Sequence, residues 1–180
     1  MYAIAVTEAS QPLAGLKVVA FEQAVAAPLC TRHLADLGGD VIKIERRGDG
    51  DFARGYDSAL NGTSTYWAWL NRRKRSLTLD LKQKGGVEVA NRLVAGADVV
   101  VQNFAPGAMD RLGLGVTQLH ERFPSLVVAS ITGYGEDGPY RDRKAYDMLV
   151  QAEAGVISIP GTPDDPSKVG VSLVDLSSGI

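Results

Sequence analysis

An open α/β fold, a mostly parallel sheet flanked by helices, is what this sequence predicts. Short β-branched runs alternate along the chain with segments of helical periodicity. Several of those runs, "DVVVQN" and "LVVAS" among them, are apolar at consecutive positions, as strands buried on both faces must be. Gly, Pro and Asp punctuate the boundaries between them.

Residues 1–12 read as a leader of low periodicity and 13–180 as one domain. "LKVVAFEQ" (16–23) is a first strand. In "AAPLCTRHLADLGGD", Pro28 suits a first helical turn, Leu29, Leu34 and Leu37 recur at roughly helical spacing, and Gly38 and Gly39 supply the stop. "VIKIE" (41–45) alternates as a second strand. The polar stretch that follows, "RRGDGDFARGYDSALNGTS", is long for a connection within a domain, and long loops are often functional. "YWAWLN" is an aromatic cluster on a short helix or turn. "SLTLDL" (76–81) is a strand, "KGGVEVANRLVAGA" an amphipathic helix, and "DVVVQN" (98–103) an apolar strand with a polar exit. Two short helical pieces end at Gly115 and Pro124. "LVVASITGYG" is a buried strand running into a Gly-rich turn, and "AYDMLVQAEAGV" a helix. In "GVSLVDLSSGI", Val171, Leu173 and Val174 read as a last buried strand ending at Asp175.

The chain has 180 residues, 45% of them apolar and 22% charged, with a formal net charge of −2. That balance provides no global basic field for nucleic acid or an anionic membrane. No window approaches 18 uninterrupted apolar residues, and the N-terminus has neither a basic n-region nor a long apolar h-region. Cys30 is the single cysteine, so no internal disulfide forms; a cytoplasmic setting is expected.

In open α/β sheets, ligands bind outside the carboxyl ends of the strands. The polar residues there are Arg46, Asn103, the turn at 133–135, and Asp175. No G-x-G-x-x-G follows the first strand, where the chain reads "EQAVAAP", and no P-loop occurs, which disfavours dinucleotide and P-loop sites. His33 and His120 lie in helical segments without ligand-spaced partners, so no metal is expected. "IERRGDGD" and "NRRKRSLTLDLK" concentrate positive charge, either as a solvated face or as a site for a small anionic ligand. Asp175, followed by "LSSG", is also a good helix N-cap; a cap at a strand end and a ligand-facing carboxylate are compatible roles.

The segments "PLAGLKVVAFEQAVAAPLCTRHLADLGGDVIKIERRGDGD", "NRRKRSLTLDLK", "DVVVQNFAPGAMDRLGL", "ITGYGEDGPYRDRKAYDMLVQ" and "GVSLVDLSSG" together resemble the family III CoA-transferases, the group around formyl-CoA transferase and carnitine CoA-transferase. The resemblance runs from about Leu13 to the last residue. It implies that 13–180 is the N-terminal part of a Rossmann-like, CoA-binding large domain. A small domain and a C-terminal return would lie outside these residues, and two subunits would interlock as a homodimer.

By the same resemblance the substrates are an acyl-CoA and a carboxylic acid, with no tightly bound cofactor. Arg46, Leu79, Lys82, Asn103, Phe104, Ala105, Arg111, Arg143, Lys144 and Tyr146 line the CoA pocket, and Asp175 is the nucleophile that carries an aspartyl-CoA thioester. Read as residues alone, Arg46 is also a solvated loop residue, Lys82 an exposed helix start, and Arg111 a partner for Asp110. The related α-methylacyl-CoA racemases place a His where this chain has Tyr146 in "AYD", a departure that favours transfer over racemisation. A CoA-binding fragment without catalysis is the remaining alternative.

Overall fold

The computed structural model describes residues 11–180; the leader read at 1–12 lies almost entirely outside them. Five strands, β1 (Lys17–Phe21), β2 (Asp40–Glu45), β3 (Arg75–Thr78), β4 (Val99–Gln102) and β5 (Val127–Ser130), form one sheet in the order β3-β2-β1-β4-β5. All the pairings are parallel. Seven helices connect and flank them: α1 (Ala26–Asp36), α2 (Thr65–Asn71), α3 (Lys84–Val94), α4 (Ala108–Arg111), α5 (Val116–Arg122), α6 (Asp147–Glu153) and α7 (Leu173–Ser178).

Alternate residues of a strand point to opposite faces, and here both faces are dry. Val19, Phe21, Ile44 and Val100 pack on one side with Ala90 and Val94 of α3, Met109, Leu114, Leu119 and Leu126. Val18, Ala20, Val41 and Val101 pack on the other against Ala27 and Ala35 of α1. Each large side chain buried in this way contributes about 1.5–3 kcal/mol. Gly38, at φ +104, turns the chain from α1 into β2, a conformation that L side chains rarely adopt.

The strand order reverses between β1 and β4, so a crevice opens at their carboxyl ends. Asn103 bridges it. Its Oδ1 accepts from the Gln23 N–H at 2.9 Å, and its Nδ2 donates to the Gln23 carbonyl at 2.8 Å.

The long connection after β2 is more ordered than its composition suggests. A 3-10 turn occupies Phe52–Gly55. Asp57 accepts hydrogen bonds from the backbone of Ala59 and Thr65 and from the Ser64 and Thr65 hydroxyls, which holds its carboxyl far below the usual range. This knot places the start of α2, where Ser64 caps the Trp67 N–H.

The strand expected at 171–174 does not form. Leu173–Ser178 is a helix, and Asp175 is its third residue rather than the end of a strand or an N-cap. Ser172 holds the cap position without a side-chain hydrogen bond. The reason is tertiary. The Asp147 carboxylate, 27 and 28 residues earlier, accepts the N–H groups of Val174 (2.9 Å) and Asp175 (3.3 Å), the free donors of a helical first turn.

Candidate active site

Asp175 sits over the turn between β1 and α1. Leu176 packs with Ala24 and Tyr66 against Val25, Leu29 and Leu70. Gly179 closes the contact: a Cβ there would come within 2.7 Å of the Ala26 carbonyl oxygen and 2.8 Å of Leu29 Cβ. Only glycine lets α7 lie this close to α1.

The Asp175 carboxyl is pushed up to about 6, chiefly by burial and secondly by the nearby Asp147 charge. Tyr56 faces it. Burial, Asp51 and Asp175 raise the Tyr56 phenol to about 12, so it is neutral and able to donate a hydrogen bond. Tyr56 belongs to an edge-to-face aromatic chain with Phe52 (5.9 Å) and Tyr66 (6.0 Å), continued by Trp69.

Beneath the β1–α1 turn lies a buried ionic cluster. Lys43 Nζ donates to Asp51 at 2.6 Å and to Asn71 at 2.9 Å, with Glu22 at 3.7 Å. Lys74 Nζ donates to Glu22 and to the Pro28 carbonyl, each at 2.7 Å, and Thr31 donates to the other Glu22 oxygen. Burial lowers Lys74 to about 8 against the pull of Glu22. Asp51 Oδ1 accepts the N–H of Ala24, which it holds at φ +63. Burial would raise Glu45, but hydrogen bonds from both Arg54 nitrogens, Ser76 and the Asp51 N–H override it and hold the carboxyl at about 2.

Two clefts open along the carboxyl edge. One, of about 140 Å³, is lined by Arg46, Leu79, Lys82 and Phe104 with Gln23 and Glu45. Four of the sequence-predicted CoA residues therefore converge. Arg46 is exposed, and its guanidinium donates to the Gly50 carbonyl at 3.0 Å. The smaller cleft, about 70 Å³, is lined by Ala105, Gly107, Asp110, Ser130 and Glu136.

Asn103 is tied to Gln23 through both polar atoms and shapes the crevice. Arg143 pairs with Glu153 at 2.9 Å at the surface and stacks on Tyr140 at 4.0 Å. Lys144 and Tyr146 are exposed beside it. Arg111 does not pair with Asp110, whose Oδ1 instead lies against Gly115. Within the "NRRKR" run, Arg72 pairs with Asp36 and Arg75 with Asp40 at the surface, Arg73 is exposed, and Lys74 lies in the buried cluster.

Sequence reasoning missed Asp147 and Tyr56. Asp147 opens a predicted helix, and nothing local shows that its carboxylate serves another one. For Tyr56, the length of the loop carrying it was the available signal.

The family model of CoA-transferase family III matches residues 13–180. The chain belongs to that family. A human succinyl-CoA:glutarate CoA-transferase is 39% identical over 172 residues, covering 94% of this chain and 39% of that protein. A formyl-CoA:oxalate CoA-transferase from Afipia carboxidovorans is 40% identical over 173 residues, covering 95% of this chain and 41% of its own. Among solved structures, a CAIB/BAIF family protein from Brucella suis superposes with a TM-score of 0.88 at 40% identity, covering 94% of this chain and 46% of that one. The chain thus spans about two fifths of the length of the curated relatives it matches.

Proposed function

We propose that this family III chain carries the CoA-binding edge and the nucleophile of a CoA-transferase, with Asp175 forming an aspartyl-CoA thioester. The observation that carries this reading is the placement of Asp175. It is a half-buried carboxylate in a first helical turn packed on the β1–α1 turn, pushed up to about 6, with the Tyr56 phenol near enough to sense its charge. Such a carboxylate is incompletely solvated yet mostly ionised at neutral pH, which suits a nucleophile.

In the first step an Asp175 oxygen attacks the acyl-CoA carbonyl carbon. The C–S bond breaks, CoA leaves as thiolate, and a mixed anhydride of acyl group and Asp175 remains. The thiolate then attacks the Asp175 carbonyl, expelling the donor acid as its carboxylate and leaving the aspartyl-CoA thioester. An acceptor carboxylate repeats the sequence in reverse and departs as its CoA thioester, regenerating Asp175. A neutral Tyr56 phenol would supply a hydrogen-bond donor for oxygen on which charge develops. The acceptors named for similar proteins, glutarate, oxalate and D-citramalate, are dicarboxylates, and a short dicarboxylate is the acceptor we assign. The exposed apolar side chains Met148, Ile159, Val171 and Leu173 beside the site fit cover by a second copy in a homodimer.

No observation favours racemisation: position 146 offers a phenol where that chemistry uses an imidazole. The test is intact-protein mass spectrometry after incubation with succinyl-CoA. A CoA-sized adduct is expected on the wild type and absent from Asp175→Ala. An adduct that persists in Asp175→Ala, or exchange of the proton next to the thioester carbonyl without an acceptor acid, overturns the reading.

A further inference from the structure

We infer that Gln151 is a positioning residue for the nucleophile: its amide holds the Asp147 carboxylate in the orientation that fixes the first turn of α7, and with it Asp175. This rests on the role proposed above for Asp175. Gln151 is fully buried on α6, four residues after Asp147 and so on the same side of the helix. Its Nε2 donates to Asp147 Oδ2 at 2.6 Å and, more loosely, to the Val171 carbonyl at 3.4 Å. Asp147 Oδ1 is left for the Val174 and Asp175 N–H groups. One amide therefore ties α6 to the chain entering α7 and, through a carboxylate, to the backbone of Asp175. A carboxylate tied at one oxygen can swing about its side-chain bonds, and one tied at both cannot.

The other end of the same amide shows what Gln151 is for. Its Oε1 is buried and has no hydrogen-bond partner among the described residues. A side chain buried for packing alone would be apolar, because a stranded acceptor costs free energy. Turning the amide over would set oxygen against the Asp147 oxygen and strand the NH₂ group instead. The orientation is thus dictated by Asp147: one polar atom goes unsatisfied so that the other can donate to the carboxylate.

Two variants test this. Each is read by hydrogen-exchange protection of the Val174 and Asp175 amides and by adduct formation with succinyl-CoA. Gln151→Met keeps the length and removes the donor. Protection of the two amides should fall by about tenfold, the order of one hydrogen bond to a charged group, while the amides of β1 and β4 keep theirs. Gln151→Glu separates positioning from packing. Two carboxyl groups at hydrogen-bond distance hold one proton between them, and the introduced group donates to Asp147 Oδ2 for as long as it keeps that proton. Asp147, and Asp175 beyond it on α7, both favour keeping it; the 3-10 turn at Val156–Ser158, also packed on α6, brings no titratable group. When the proton leaves at higher pH, the two charges repel and Asp147 swings away. Protection of both amides, and adduct formation with it, should therefore be lost on the alkaline side in Gln151→Glu and not in the wild type. Wild-type protection of Val174 and Asp175 in Gln151→Met overturns the inference, as does a Gln151→Glu variant whose protection follows pH as the wild type does. Protection that falls as expected in a chain whose wild type forms no adduct keeps the tie to α7 and removes the chemistry proposed for Asp175.

Discussion

Replacing Asp147 with asparagine isolates one of the two forces on the proposed nucleophile. Asp147 Oδ1 accepts the Val174 and Asp175 N–H groups, while Oδ2 accepts Gln151 Nε2 at 2.6 Å. The substituted amide would keep its oxygen as the cap acceptor. Its new NH₂ group would need an acceptor, and Gln151 Oε1, buried and without a partner, becomes one if the Gln151 amide turns over. The cap therefore survives and the charge goes. Asp175 is raised from 3.8 to about 6, with burial the larger cause and Asp147 the smaller. The Asp147 share is then at most about one pH unit, or about 1 kcal/mol once solvent screening at this half-buried site is discounted. The Asp175 midpoint should fall below about 6 yet stay above 3.8, because burial remains.

The sign follows from linkage. Between 3.8 and about 6 the folded state binds more protons than the unfolded state, so the stability contributed by protonated Asp175 is full below 3.8 and is lost as pH rises through about 6. Asp147→Asn should move the upper edge of that window down. Carboxyl-carbon NMR titration of Asp175 reads the midpoint directly, and the pH at which half-maximal adduct forms with succinyl-CoA should move with it. A midpoint that stays at about 6 or rises in Asp147→Asn would refute the assignment of Asp147 as the second force.

Lys43→Met removes the cation from a cluster in which Lys43 and Asp51 are both fully buried, leaving Asp51 without its partner. Chemical denaturation should show a loss of about 3–5 kcal/mol, and a loss below about 1 kcal/mol would mean that the cluster is solvated. Gly179→Ala places a methyl group against Ala26 and Leu29, so α7 must move away from α1. Adduct formation at Asp175 should fall by more than the change in melting temperature accounts for; equal adduct rates would show that the α1–α7 contact does not position the carboxylate.

Most of the scaffold was legible because it rests on periodicity. The run 99–101 is apolar at successive positions and lies inside a sheet covered on both faces, whereas 127–130, read as a buried strand, is the edge strand β5 with Val127 exposed. Charge within the regular elements was harder to read. "VIKIE" alternates as though Lys43 and Glu45 lay on a wet face, yet both are buried, at 1% and 4% exposure. Their partners come from distant segments, and partner identity decides whether a buried charge is tolerable. The helix at 173–178 was misread for a similar reason. Its six residues are too few to show a period, and the carboxylate that satisfies its first N–H groups lies 27 residues away. The carboxyl edge shows the same division: Leu79, Lys82 and Phe104 share a cleft, whereas the Arg143–Glu153 ion pair has no local signature.

The buried ionic cluster also governs how this part of the molecule assembles. Glu22, Lys43, Asp51 and Lys74 come from segments as much as 52 residues apart. Apolar cores tolerate half-built states, because each contact lowers the free energy separately. A cluster of opposite charges does not, because any incomplete version strands a charge away from water. The ends of β1 and β2, the connection through Asp51 and the chain entering β3 are therefore bound to form and open together. Their amides should share one opening free energy in hydrogen exchange, while α7, held at its ends by Asp147 and Gly179, is free to open alone. The rigid floor and the movable carboxylate of one site are thus separate cooperative units.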